Sequence, residues 1–254
     1  MKVTIIGSGT GLPSLKRGSP AILVQTEEVT LLMDSGPGTL RQLLKVGISL
    51  VDIDYLLYTH FHPDHTLDFL ALCFALKNPD IAPLPKPIAV LAGQGFQDLY
   101  SKLQMGYGHW ITLPEETIKI EELPIETGVR TLTKHLTLRF YPMNHTASSL
   151  GYRLEQDGIV NLAYSGDTDT CNSAVELGGN TDLFILECSF PEGQKRPGHL
   201  TPSLAGIIAQ KAHARTLVLN HFYPQCEDVD LVGPCTQHFN GRVILAEDMM
   251  PFEL

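Results

Sequence analysis

The stretch that decides the fold is Thr59-His60-Phe61-His62-Pro63-Asp64-His65, in which three histidines and an aspartate fall within six residues. Side chains two apart in an extended segment project to the same side, so His60 and His62 can grip one divalent ion together. Pro63 reinforces this reading, because the residue before a proline is pushed out of the helical region. Proline is also favoured at the first position of a helix. Asp64 and His65 are therefore expected to open a helix and face a second ion. Surface solvation explains a single histidine well, but several imidazoles and a carboxylate this close repel when protonated and gain little by packing.

Outward from this corner, strand and helix patterns alternate. Strands are expected over Lys2–Ile6, Ala21–Gln25 and Val29–Met33, the last two joined by a turn at Glu27 and Glu28. A helix over Thr39–Val46 follows. Then come strand Tyr55–Tyr58 with helix Thr66–Leu76, and strand Ile88–Leu91 with helix Phe96–Leu103. The middle reads as β-rich, with strands at Thr117–Ile120, Thr131–Thr133, Leu136–Tyr141, Leu150–Leu154 and Val160–Tyr164. Strand Leu183–Glu187, helix Pro202–His213 and strands Thr216–Asn220 and Arg242–Ala246 complete an α/β chain read as one domain over residues 1–254. Ligand-type residues stand just beyond three of these strands: His145, Asp167 and His221. Loops at strand ends are where α/β proteins place their chemistry.

Bulk properties narrow the function. The chain has 254 residues, 43% of them hydrophobic and 18% charged, which suits a folded globular protein. Its 18 basic and 28 acidic residues give a net charge of -10, against a broad basic face for coating nucleic acid. Two bound cations would offset part of that charge where an anionic substrate sits. The five cysteines are odd in number and form no Cys-x-x-Cys pair, so reduced thiols are expected. No apolar run is long enough to span a bilayer, and MKVTIIGSGTG lacks the length of a secretory signal; a cytoplasmic location without membrane contact is the expectation. The GSGTG turn follows a strand as in dinucleotide folds, but Pro13 and the polar LKRGS stretch spoil the required helix.

In order along the chain, these residues resemble the metallo-β-lactamase superfamily and, within it, the ribonuclease Z-like branch. THFHPDH is the most specific match. GSGTGLPSLKRGSP is similar to that branch's opening loop through Gly9, Pro13, Ser14, Arg17 and Ser19, and LLMDSGPGTLRQLL to its aspartate and glycine segment, with Pro37 and Leu40 where ribonuclease Z usually has Glu and Gln. The resemblance implies a four-layer αβ/βα sandwich of two mixed sheets flanked by helices, and a homodimer. It implies that His60, His62 and His145 hold one metal, that Asp64, His65 and His221 hold the other, and that Asp167 bridges them. LECSFPE and GHLTPSLAGIIA are similar to the segments that supply Glu187 and the non-ligand His199 beside the scissile phosphate.

The function so implied is hydrolysis of a phosphodiester, in RNA or a smaller diester, by a hydroxide shared between two divalent ions. Zinc is expected foremost, and His and carboxylate donors also accept manganese or iron. Such ions, about 3.5–4 Å apart, lower the pKa of shared water toward neutrality. Asp64 would orient the nucleophile, and His199, polarised by Glu187, would protonate or stabilise the departing oxygen. Arg17, Lys16, Lys195 and Arg196 are candidates to meet substrate phosphate. Sulfate, carboxylic or lactone esters are alternative electrophiles for the same hydroxide. Iron-dependent oxygen chemistry is less favoured because flavin-linked diiron relatives tend to carry Glu at the position of His62. A non-enzymatic metal-binding role is the remaining alternative. The resemblance departs between Asp68 and His145: tRNA-processing members carry a long arm there, and this stretch is filled by ordinary helix and strand patterns.

Overall fold

Alternation along the strands assigns each side chain to one of two cores. Ile22, Val24, Leu31, Met33, Leu57 and Leu91 point into one cluster, whereas Ala21, Leu23, Leu32, Leu56 and Val90 point into another. A sheet whose two faces are both apolar has to be covered on both sides. The computed structural model, which describes residues 1–78, 80, 84 and 86–254, shows how this is done.

In chain order the elements are β1 (Lys2–Gly7), β2 (Ala21–Gln25), β3 (Thr30–Met33), α1 (Thr39–Lys45), β4 (Tyr55–Tyr58), α2 (Pro63–Ala75), β5 (Ile88–Gly93), α3 (Phe96–Tyr107), β6 (Ile118–Leu123), β7 (Gly128–Thr131), β8 (Leu136–Pro142), β9 (Leu150–Gln156), β10 (Ile159–Tyr164), α4 (Asn172–Leu177), β11 (Leu183–Glu187), α5 (Pro202–Ala212), β12 (Thr216–Asn220), α6 (Val232–Thr236), β13 (Arg242–Leu245) and β14 (Met250–Glu253). They form two seven-stranded sheets, ordered β14-β1-β2-β3-β4-β5-β6 and β13-β12-β11-β10-β9-β8-β7. Each is mixed: β3 to β6 run parallel, as do β10 to β13, and the remaining pairs are antiparallel. One core lies between the sheets, joining Val3, Ile5 and Leu57 to Leu138, Tyr152 and Leu162. The other joins the first sheet to Phe69, Leu72 and Phe96 of α2 and α3. Helices α4, α5 and α6 contact the second sheet, giving the four-layer sandwich expected from the resemblance.

Most expected elements are present within a few residues of their bounds. The strand expected at Thr131–Thr133 lies at Gly128–Thr131 instead. Thr133 is taken up by a turn, its hydroxyl accepting the N–H groups of His135 and Leu136 at 3.1 Å each, as threonine commonly does where a strand reverses. Helix α3 runs on to Tyr107, and β14, α4 and α6 are additions that the sequence reading did not contain. Among the described residues, no helix is long and apolar enough to cross a membrane. All five cysteines are free thiols, and burial pushes the Cys73 thiol up to about 12.

Helix α2 is set against the first sheet by an approach that only glycine permits. A Cβ at Gly36 would lie 1.8 Å from the Asp64 carbonyl oxygen and 2.4 Å from the Ser19 Cβ. Replacing Gly36 by Ala is expected to destabilise the protein by about 1–3 kcal/mol or more, since neither neighbour is a flexible chain end. Gly106, in α3, has nothing within 4 Å of its notional Cβ, so Gly106→Ala should stabilise by about 0.5–1 kcal/mol. Urea midpoints of the two variants check this; equal effects would contradict the packing described.

Candidate metal centre

The parallel strands of both sheets end at one edge, and the chemistry-bearing side chains sit there. His62 caps α2 in an extended conformation with Pro63 in the first turn. This is the strand-to-helix corner expected from the sequence, and it carries His60, His62, Asp64 and His65. His145 follows β8, Asp167 follows β10 and His221 follows β12.

Two groups of donor atoms result. Around the first point, His60 Nε2 stands 3.0 Å from His62 Nδ1 and His145 Nε2 3.1 Å from the same atom. Around the second, His65 Nε2 lies 3.3 Å from His221 Nε2, and Asp64 Oδ2 is 3.6 Å from His221 and 3.9 Å from His65. Asp167 stands between them. Its Oδ2 is 3.8 Å from His60 and 3.6 Å from His145, and its Oδ1 is 3.3 Å from both His65 and His221.

Two tests ask whether these residues fit metal ions. Two nitrogens on one tetrahedral zinc at its usual bond length are about 3.3 Å apart, close to the nitrogen spacings here. The buried Asp167 Oδ1 also has no hydrogen-bond partner among the described residues, and a buried carboxylate oxygen left in that state is costly unless a cation satisfies it. The donor set fits.

The other ring nitrogens are held in place. His65 Nδ1 donates to Asp34 Oδ2 at 2.8 Å, His145 Nδ1 to the Gly198 carbonyl at 2.9 Å, and His221 Nδ1 to Ser189 Oγ at 3.0 Å; His60 Nδ1 lies 3.1 Å from Thr59 Oγ1. Such outer contacts fix ring orientation and make the free nitrogen a better ligand. Asp169 supports this indirectly, since its carboxylate accepts from the Gly198 N–H at 3.0 Å and from Lys195 Nζ at 2.7 Å.

Electrostatics follow the same plan. Burial, aided by His65, holds the His60 pKa well below the usual histidine range. Burial lowers that of His65 too, but Asp167 and Asp34 outweigh it and hold the ring well above that range. Asp64 and Asp167 are both held below the usual carboxylate range, burial being overcome by His221 and His65.

Glu187 and His199 stand beside this cluster. Glu187, 1% exposed, accepts from His199 Nδ1 at 3.0 Å, from the Thr168 and Leu200 N–H groups at 2.8 and 3.1 Å, and from the Ser189 hydroxyl at 2.6 Å. Burial lowers the His199 pKa, but Glu187 more than reverses that. Thr201 is the α5 N-cap with Pro202 in the first turn, yet its side chain makes no capping bond.

Several expectations are corrected. The Asp68 carboxylate accepts the Gly38 and Leu40 N–H groups at 3.1 and 2.8 Å and so caps α1. Arg17 is turned from substrate space into the fold, with Nε on Glu227 at 2.9 Å, one terminal nitrogen on Ser8 Oγ and the Ala246 carbonyl, and the guanidinium 4.5 Å from the Phe222 ring. Lys16 also pairs with Glu227 and Lys195 with Asp169. Two supporting residues, Asp34 and Ser189, lie in segments that the resemblance covers but were given no role there; Asp34 stood out as the polar end of an apolar strand and as the aspartate of its segment. Replacing it by Asn should lower zinc affinity about 10–100-fold, measured by competition with a chromogenic chelator; unchanged affinity would show that the His65 contact does not matter.

Comparison with known proteins agrees with this architecture. A family model described as a β-lactamase superfamily domain matches residues 30–222. Ribonuclease Z of Salinispora arenicola is 24% identical over 300 residues, covering 98% of this chain and 94% of that protein. The Haloarcula marismortui enzyme of the same name is 26% identical over 306 residues, covering 98% and 96%. Among solved structures, the metallo-β-lactamase fold protein YhfI of Bacillus subtilis superposes with a TM-score of 0.86 at 24% identity, covering 100% and 99% of the two chains. The short form of human tRNase Z gives 0.80 at 24% identity, with the same coverage. With its two sheets, its corner of histidines and this match, the chain belongs to the metallo-β-lactamase superfamily, on its ribonuclease Z-like branch.

Proposed function

We propose that this chain, acting as one domain, is a dinuclear metal-dependent phosphodiesterase that cleaves RNA or a smaller diester, with zinc as its first-choice metal. The observation that carries the reading is the Glu187–His199 pair, a buried carboxylate and a half-buried imidazole 3.0 Å apart beside the donor cluster. Plain metal binding has no use for it. His60, His62 and His145 would hold one ion, Asp64, His65 and His221 the other, with Asp167 between. When bound, two such ions supply a water acidified toward neutrality and a cationic seat for phosphate oxygens.

The chain's own residues would do the rest. Asp64 is held ionised, so it accepts a hydrogen bond from the attacking water and orients it. As the water oxygen, having released one proton to solvent, bonds to phosphorus, the bond to the departing oxygen breaks, and that oxygen takes its proton from His199, which solvent then reprotonates. Glu187 keeps His199 protonated and fixes Nδ1, leaving the other ring nitrogen to deliver the proton. The curated relatives support the substrate class. Alignments with them run to about 300 residues against 254 here, so those relatives carry segments without a counterpart. Among the described residues, the stretch from Asp68 to His145 is filled by α2, β5, α3, β6, β7 and β8, which favours a substrate that needs no long arm.

His199→Ala should lower kcat by about 10²–10⁴-fold with unchanged metal content, and it should remove the alkaline fall in the kcat profile. The sign follows from the raised His199 pKa: the group is protonated and active below that value and lost above it. Glu187→Gln should move the alkaline limb to lower pH, because it removes the charge that raises the pKa. Unchanged turnover in His199→Ala would end this assignment. A panel of an aryl phosphodiester, a pre-tRNA with a 3′ trailer, an aryl sulfate and a lactone tests the class; activity confined to the sulfate or lactone would overturn it.

A further inference from the structure

Next to His199 lies a pair of aromatic rings to which no role has yet been given. Phe190, 8% exposed, stacks against Tyr223 with ring centroids 4.7 Å apart and planes 15° from parallel. His199 is 5.7 Å from Phe190 and 6.1 Å from Tyr223 by the same measure, and Tyr223 is 6.0 Å from His221. The Tyr223 backbone is fixed on both sides: its N–H donates to the Ser189 carbonyl at 3.3 Å, and its carbonyl accepts from the Cys226 N–H at 2.9 Å. Phe190 covers one face of the half-buried Tyr223 ring.

We propose that Tyr223, backed by Phe190, is a stacking subsite for the nucleobase of the nucleoside that departs during phosphodiester cleavage. The inference rests on the phosphodiesterase reading above. If His199 protonates the departing oxygen, the group attached to that oxygen lies on the His199 side of the site, where this ledge stands. A rigid, preordered aromatic face suits a base of any identity, because every base has a π-face. Beyond the ledge, the exposed Arg196 guanidinium is 6.0 Å from the Phe190 centroid and has no carboxylate partner among the described residues. It is placed to meet a flanking phosphate or the base itself. Ligand specificity would then arise from stacking and leave sequence unread.

The test uses the metal-loaded full chain and deoxydinucleotides in which a tetrahydrofuran abasic residue replaces one nucleoside or the other, so that the oxygen that leaves stays the same. Product analysis identifies the departing side. Removing the base there should lower kcat/KM about 5–150-fold, and removing the other base should matter less. Tyr223→Ala should bring the ratio close to one, whereas Tyr223→Phe should keep it, since the ring and not the hydroxyl does the stacking. A wild-type ratio near one, or a ratio that survives in Tyr223→Ala, would overturn the subsite. Cleavage of an aryl phosphodiester with none of any dinucleotide would also overturn it. If no diester is cleaved, the phosphodiesterase reading itself falls.

Discussion

One buried carboxylate ties the two sheets and the candidate site together. Asp34 is fully buried and adopts a left-handed conformation at φ 61° at the end of β3. Its oxygens accept from the Thr59 N–H at 2.8 Å and from the Thr59 hydroxyl at the end of β4, from the Tyr164 hydroxyl of β10 at 2.9 Å, and from His65 of α2 at 2.8 Å. A buried charge persists only when its lone pairs are filled. These bonds therefore fix how β3, β4, α2 and the second sheet meet. The same constraint explains the strained backbone of Asp34, a conformation held by its surroundings.

From that junction the site follows in order. The C-terminal ends of parallel strands β4, β10 and β12, and of β8, lead into the loops that carry His60, His62, Asp167, His221 and His145. Gly166, at φ 56°, lets the β10 loop pass within 2.5 Å, measured from its notional Cβ, of the Thr59 Cβ. A side chain there would push Asp167 away from the ring nitrogens it faces. Ser189 then joins the histidine–carboxylate cluster to the Glu187–His199 pair, its hydroxyl contacting Glu187, His199 and His221. Cluster and pair are thus one hydrogen-bonded unit.

Legibility in the sequence tracked the distance over which each interaction acts. The His60 to His65 corner was readable because strand geometry, proline and helix entry operate within seven residues. His145, Asp167 and His221 could be placed at strand ends, though bringing them together required the resemblance. Asp34 was opaque because its partners lie 25, 31 and 130 residues away, and a lone aspartate after a strand has many uses. The capping of α1 by Asp68 was equally hidden, its two N–H partners lying 30 and 28 residues away at the start of a different helix. Strand β14 is four residues long, contains Pro251 and pairs with β1 at the opposite end of the chain, so no local pattern reveals it. The Phe190–Tyr223 stack joins two loops that periodicity does not address.

The central claim is that the buried imidazoles and carboxylates at this edge are a seat for two cations. Anomalous diffraction at the zinc edge from crystals of the zinc-loaded protein tests it most directly. Two peaks are expected, one within bonding distance of His60, His62 and His145, the other of Asp64, His65 and His221, with Asp167 reaching both. A single peak, or peaks away from these side chains, would contradict it.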